Sequence, residues 1–167
     1  MISTVFESPI GLVQVMGTAE GVSAITCIDV LPGPGLTPDT PEPVRQAVEQ
    51  LQAYFAGSGQ TFSFRLNPVG TAFQQTVWRA LLDIPFGTTC SYLTLTRRIG
   101  DEKAIRAVAA ANGRNPIAIV IPCHRVIGSN GSLTGYAGGL WRKQWLLEHE
   151  GTWPVKPTNP PGQLSLF

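Results

Sequence analysis

The first third of the chain carries its apolar residues in short stretches, Ile2–Glu7, Leu12–Val15 and Val22–Ile28, broken at Pro9, Gly11, Gly17 and Gly21. Short runs of this kind between breakers predict strands, here of a small antiparallel sheet. Leu31 to Pro43 holds five prolines and reads as a loop. Thr40, ahead of Pro41, is placed to cap a helix to about Ala56 with Val44, Val48, Leu51 and Phe55 on one stripe. Thr61–Leu66 alternates polar with apolar residues and predicts another strand.

From residue 70 the spacing becomes helical. Thr71-Ala72-Phe73-Gln74 is a capping-box pattern heading a helix through Phe73, Val77, Leu81 and Leu82, which stops at Ile84-Pro85-Phe86-Gly87. Ser91 caps a helix to Ile99 that Gly100 ends; Asp101 opens another to about Asn112, with Gly113 as its stop. Two short helices across a tight turn have the helix-turn-helix outline, which a plain packed helix pair shares. In the second, Ile105, Val108 and Asn112 form the expected core stripe, and Ala107, Ala110 and Ala111 leave the opposite face flat. With Lys103, Arg106 and Arg114 around it, that face suits close approach to nucleic acid, although alanine is also the best helix former. The fold class expected is α+β. Residues 1–69 form a scaffold with a sheet and one helix, 70–151 a mainly helical domain, and 152–167 a proline-rich tail.

Composition narrows the class. With 43% hydrophobic and 14% charged residues the chain is globular, and no apolar run is long enough for a bilayer. Cys27, Cys90 and Cys123 are an odd number without paired spacing, as expected of reduced thiols in the cytoplasm, and the chain is expected to be a monomer. The only histidines are His124 and His149, no zinc-ligand spacing occurs, and neither metal nor cofactor is expected. The net charge of +1 hides an asymmetry: residues 1–69 have two basic against six acidic side chains, and residues 70–151 have nine against five. The positive half suits a polyanionic partner.

That half contains Pro122-Cys123-His124-Arg125-Val126 after an apolar approach from Ile117 to Ile121. A thiol becomes a nucleophile as thiolate, and an imidazole or cation nearby promotes the ionisation. Adjacent side chains diverge, so contact between Cys123 and His124 is expected to run through a water molecule. Asn115 is placed to tie the reactive turn to the helix pair through its amide. Arg125 is expected to brace the fold, while Cys27 and Cys90 are expected to pack as small apolar residues. His149 is expected at the surface.

The segment from Asn115 to Gly128, with Tyr136-Ala137-Gly138-Gly139, Leu146 to Gly151, Phe86-Gly87, Ser91-Tyr92 and Arg106-Ala107-Val108, resembles the O6-alkylguanine-DNA alkyltransferases. The resemblance is continuous over about 71–151. It implies DNA repair by a single, irreversible transfer of an alkyl group from O6-alkylguanine in double-stranded DNA, with O4-alkylthymine as a further candidate, to Cys123. It implies that His124 is the base, that Glu150 orients it, and that the Tyr92 hydroxyl donates to the base. It also implies that the second helix enters the minor groove and that Arg106 fills the gap left by a flipped nucleotide. Tyr136, Ala137 and Gly138 would form the pocket wall, with Val126 and Trp141 shaping its tolerance; Ala137 stands where some relatives have serine. A non-catalytic lesion binder, a regulator that senses alkylation and a thiol hydrolase are the competing readings. The presence of Cys123 argues against the first and the lack of a second DNA-binding module against the second.

The tail ends in Gln163-Leu164-Ser165-Leu166-Phe167, which resembles the bacterial sliding-clamp binding peptide. Gln163, Leu164, Leu166 and Phe167 would be the docking residues, and an apolar end folded onto its own domain is the alternative.

Overall fold

The computed structural model describes residues 1–29 and 33–154. Three antiparallel strands, β1 (Ile2–Ser8), β2 (Gly11–Thr18) and β3 (Gly21–Ile28), form a meander in the order β1-β2-β3. Val13 and Val15 of β2, with Val22 and Ile25 of β3, turn inward under α1 (Glu42–Phe55). At the bulge between Met16 and Gly17 a Cβ on Gly17 would lie 2.5 Å from the Gly21 carbonyl oxygen and 3.0 Å from Val44, so glycine lets β2 and β3 close their hairpin beneath α1. The buried stripe of α1 is Val44, Ala47, Val48, Leu51 and Tyr54, while Phe55 is only half-buried. Each fully buried aliphatic side chain contributes about 1.5–3 kcal/mol, so truncating Leu51 alone would strip much of this layer's stability.

Two expectations for this half fail. Thr40 does not cap α1: the N-cap is Pro41, and the Thr40 hydroxyl instead accepts from the Thr37 amide at 2.9 Å. Prolines at the start of a helix need no donated cap. Thr61–Leu66 is not a strand but an irregular segment touching β3 only at a Val22–Leu66 bridge. Alternation there buries Phe64, but the segment meets the edge of β3 at a single bridge, too little pairing for a strand.

In the second half, α2 (Ala72–Leu82) starts at a complete Thr71–Gln74 capping box. The strand β4 (Cys90–Ser91) leads into α3 (Tyr92–Ile99), capped by the Ser91 hydroxyl and ended at Gly100 with φ +125°. The second helix of the pair differs in detail from expectation. Asp101 caps a single 3₁₀ turn (Glu102–Ala104), and α4 proper is Ile105–Gly113, with Gly113 inside it. Its buried residues are Val108, Ala111 and Asn112, and Ile105 is exposed. Ala111 turns inward because α2 crosses there, the Trp78 indole donating to its carbonyl at 2.9 Å. The chain then forms a second 3₁₀ turn (Cys123–Arg125), the strand β5 (Val126–Ile127) parallel to β4, and α5 (Leu140–His149). One apolar core runs from Ile10 and Val13 through Val77 and Leu81 to Ile117, Ile121 and Leu146. The fold is mixed α+β. No helix among the described residues is long and apolar enough to cross a membrane.

Candidate active site

The Cys123 turn is held from both sides. On the sheet side, β3 bonds to the approach segment, Ile25 N–H donating to the Pro116 carbonyl (2.9 Å) and Ala118 N–H to the Ile25 carbonyl (3.1 Å). On the helix side, the Asn115 amide donates to the Ile121 carbonyl at 2.7 Å and its oxygen accepts from Ile117 N–H at 3.0 Å. Between these grips the chain loops tightly enough to put Ile119 at φ +74°, a left-handed conformation that a β-branched residue tolerates only under strong surrounding constraint. The constraint is visible: Ile117, Ile119 and Ile121 are all buried.

One turn later, His124 and Arg125 converge on Glu150, the C-cap of α5. His124 Nε2 lies 2.8 Å from Glu150 Oε2, Arg125 donates to both carboxylate oxygens at 2.7 and 3.1 Å, and the Tyr54 hydroxyl donates to Oε2 at 2.6 Å. Arg125 also donates to the Ile84 carbonyl at 2.6 Å. Burial would raise the Glu150 pKa, but the charges and hydrogen bonds of His124 and Arg125 bring it down to about 2. The carboxylate is therefore ionised and can only accept, so the proton of neutral His124 sits on Nε2. Burial lowers the His124 pKa against the pull of Glu150, keeping the ring neutral. Its Nδ1 is left buried with no hydrogen-bond partner among the described residues. A lone pair is thus presented one residue from the thiol.

Cys123 lines a cavity of about 140 Å³ with Ile25, Cys27, Asn112, Asn115 and Tyr136. Burial raises the thiol pKa, and the Asn115 amide and the Lys143 ammonium oppose that rise. The resting sulfur is a protonated thiol that needs a base. Lys143 is buried in α5, its Nζ donating to the Val126 carbonyl (2.6 Å) and the Thr134 carbonyl (2.8 Å); burial brings its pKa down to about 8. A wider cavity of about 640 Å³ adjoins the first through shared Gly113, Gly135, Tyr136 and Ala137 and is also lined by Tyr92, Ile105, Arg106 and Ala109. Tyr92 is the first residue of α3, and its hydroxyl donates to the Thr134 carbonyl at 3.3 Å.

The structure brings Cys123, His124, Glu150, Asn115 and Tyr92 into this one region, with Tyr136, Ala137 and Gly138 on the cavity wall. Lys103, Arg106, Ala107, Ala110 and Arg114 are exposed along the second helix, and of these Arg106 alone lines one of the two cavities just described. Val126 and Trp141 line neither cavity. Val126 is buried in β5 and serves Lys143 through its carbonyl, whereas Trp141 is exposed with the Arg142 guanidinium 4.7 Å over its ring. Cys27 does not merely pack but faces the Cys123 cavity. His149 is half-buried, not at the surface: its Nε2 donates to the Tyr54 carbonyl at 2.6 Å and its ring stacks on Trp145. Residues Gln163–Phe167 lie outside the described residues.

Tyr54, Lys143 and Asn112 are the site residues that the sequence reading missed. For Lys143 a signal existed, since Lys143, Leu146, Leu147 and Glu150 share the helical spacing of one face, which puts both charges among core leucines. Tyr54 offered none beyond being one place off the expected stripe.

Two family descriptions match the chain: "6-O-methylguanine DNA methyltransferase, ribonuclease-like domain" over residues 1–68 and "6-O-methylguanine DNA methyltransferase, DNA binding domain" over residues 72–152. A protein of Methanosarcina acetivorans named methylated-DNA–protein-cysteine methyltransferase is 47% identical over 155 residues, 91% of this chain and 99% of that one. One of the same name from Mycobacterium bovis is 46% identical over 163 residues, 96% and 95% of the two chains. The crystal structure of the Mycobacterium tuberculosis protein in complex with DNA is similar with a TM-score of 0.78 at 47% identity, covering 90% of this chain and 93% of that one.

Proposed function

The chain belongs to the 6-O-methylguanine DNA methyltransferases, proteins that repair DNA by alkyl transfer to a cysteine, and we propose that Cys123 is the cysteine that accepts the group. One observation carries this reading: His124 offers a buried Nδ1 with no partner among the described residues, while an ionised Glu150 fixes the proton on its other nitrogen.

The lesion nucleotide is rotated out of the duplex, with Arg106 on the exposed face of α4 supporting the gap, and its base enters through the wider cavity to the one beside Cys123. The Cys123 proton passes to Nδ1 through a solvent molecule, and Glu150 stabilises the imidazolium that forms. The thiolate attacks the alkyl carbon, a C–S bond forms, the C–O6 bond breaks, and its electron pair moves onto the guanine. Tyr92 turns its hydroxyl from the Thr134 carbonyl to the base as that charge develops, and protonation of the guanine completes the exchange. The Lys143 ammonium, which opposes the rise in the Cys123 pKa, stabilises the thiolate. The thioether does not release its alkyl group, so each molecule acts once and needs no cofactor.

Incubation with an oligonucleotide carrying O6-methylguanine should add one CH₂ to the Cys123 peptide, and nothing in Cys123→Ser. A methyl group found on Cys27 or Cys90, or a gel shift with no mass gain, would overturn the reading. The chain is read as a monomer in this reaction. The peptide Gln163–Phe167, on its proline-rich tether, is read as a hook for the replication clamp that raises the local concentration of the protein at DNA.

A further inference from the structure

Two buried polar atoms in the cavity wall have no partner among the described residues besides His124 Nδ1: the Asn112 side-chain oxygen and the Tyr136 hydroxyl. Both residues line the cavity beside Cys123, and Asn112 is only 2% exposed. Buried acceptors left unpaired are uncommon because they forgo water without compensation, and such an atom facing a cavity marks where a ligand's donor belongs. Within the Asn112 amide, it is the oxygen that is left without a hydrogen-bond partner among the described residues. Asn112 also continues the wall that the base follows inward, one turn beyond Ala109 and nearly two beyond Arg106, both of which line the outer cavity.

The chemistry of the lesion identifies the missing donor. Alkylation at O6 removes the hydrogen from guanine N1, so the only N–H donor left on the base is the exocyclic 2-amino group. O4-alkylthymine has lost its N3 hydrogen in the same way and keeps no N–H at all. An orphan acceptor can therefore be satisfied by the first lesion and not by the second, whereas the Tyr136 hydroxyl, a donor, finds ring-nitrogen acceptors on both.

We infer that Asn112 is the residue that reads the guanine 2-amino group, its Oδ1 accepting an amine hydrogen of the extruded base, and that it sets the preference for O6-alkylguanine over O4-alkylthymine. The inference deepens the proposed transfer to Cys123 and rests on it. It assigns Asn112 a role in specificity, with no part in bond making.

The test removes the interaction from each side in turn. Single-turnover methyl transfer by the full chain is measured on duplexes carrying O6-methylguanine, O6-methylhypoxanthine (the same lesion without the 2-amino group) or O4-methylthymine. The wild-type protein should react about tenfold more slowly with the hypoxanthine lesion, the effect of one lost hydrogen bond in a buried site. Asn112→Leu should bring that ratio to within about twofold of unity by slowing on guanine alone, and should narrow the gap to O4-methylthymine. Asn112→Ala serves the same purpose should the leucine variant fail to fold. A general slowdown from disturbing Tyr92 would affect all three duplexes and leave the ratios unmoved. A wild-type ratio near one, or a ratio unchanged in the folded variant, would overturn the inference. Failure of any duplex to methylate wild-type Cys123 would instead defeat the transfer reading itself.

Discussion

Tyr54, in the helix of the scaffold half, donates its hydroxyl to Glu150 at the far end of the last helix, 2.6 Å away and 96 positions along the chain. The bond is buried and its acceptor is charged, a combination worth about 1.5–3 kcal/mol. Tyr54→Phe should lower the free energy of unfolding by that much and slow methyl transfer severalfold, because His124 is then oriented by a less constrained carboxylate. Denaturant unfolding and single-turnover kinetics check both, and a variant unchanged in each would show that the bond contributes nothing.

Acid should destabilise the protein in two stages. Burial holds the His124 pKa below 6.5, so the folded chain binds fewer protons than the unfolded one and stability falls as pH drops beneath that value. The Glu150 carboxyl sits at about 2 instead of 4.5, so its contribution is complete above 4.5 and is lost as pH falls toward 2. The second stage amounts to roughly 3 kcal/mol. Urea unfolding at pH 7, 5.5 and 4 should show the first decline, which His124→Gln should reduce; an identical decline in that variant would contradict the assignment.

Lys143 offers a test of the buried charge. Replacing it with methionine removes the cation that opposes the rise in the Cys123 pKa. Iodoacetamide labelling of Cys123 should then shift to higher pH, and methyl transfer at pH 7.5 should slow, because less of the sulfur is thiolate at a given pH. Lys143→Arg retains the charge and should recover part of the rate. Equal labelling profiles in the wild type and the methionine variant would remove Lys143 from the account.

Arg106 is exposed and lines only the outer cavity, so Arg106→Ala should fold normally. Transfer from duplex DNA should slow by about tenfold or more, while reaction with free O6-methylguanine, which needs no extrusion, should be unaffected. Equal slowing on both would place its effect elsewhere.

Deleting residues 155–167 should abolish co-elution with a bacterial sliding clamp and leave single-turnover transfer intact. Retained co-elution would discard the tether.

Local signals were legible in the sequence and distant ones were not. The Thr71–Gln74 box and the Ser91 cap are formed by residues three apart, so pattern alone located both helix starts. The three strands of the meander were bounded by their own glycines and a proline. Thr61–Leu66 misled because alternation reports which side chains are buried, and a strand needs an adjacent edge that sequence does not display. Ile105 and Ala111 exchanged roles because the crossing of α2 decides which side of α4 is inside, and Trp78 lies 33 positions from the carbonyl that it binds. The cysteine and histidine stood out by their adjacency behind Pro122, whereas the glutamate was read from a family likeness. Their convergence depends on an arginine and a tyrosine whose hydrogen bonds no spacing rule would suggest.

The strap between Ile25 and the segment before Cys123 has an evolutionary and practical implication. The scaffold half contributes no atom that changes bonds, yet it supplies both the clasp on the reactive turn and the fourth donor to Glu150. A fragment trimmed to the helical half would carry a complete reagent without its vice. Engineers seeking a smaller self-labelling tag from this chain would need to rebuild that grip before discarding the sheet.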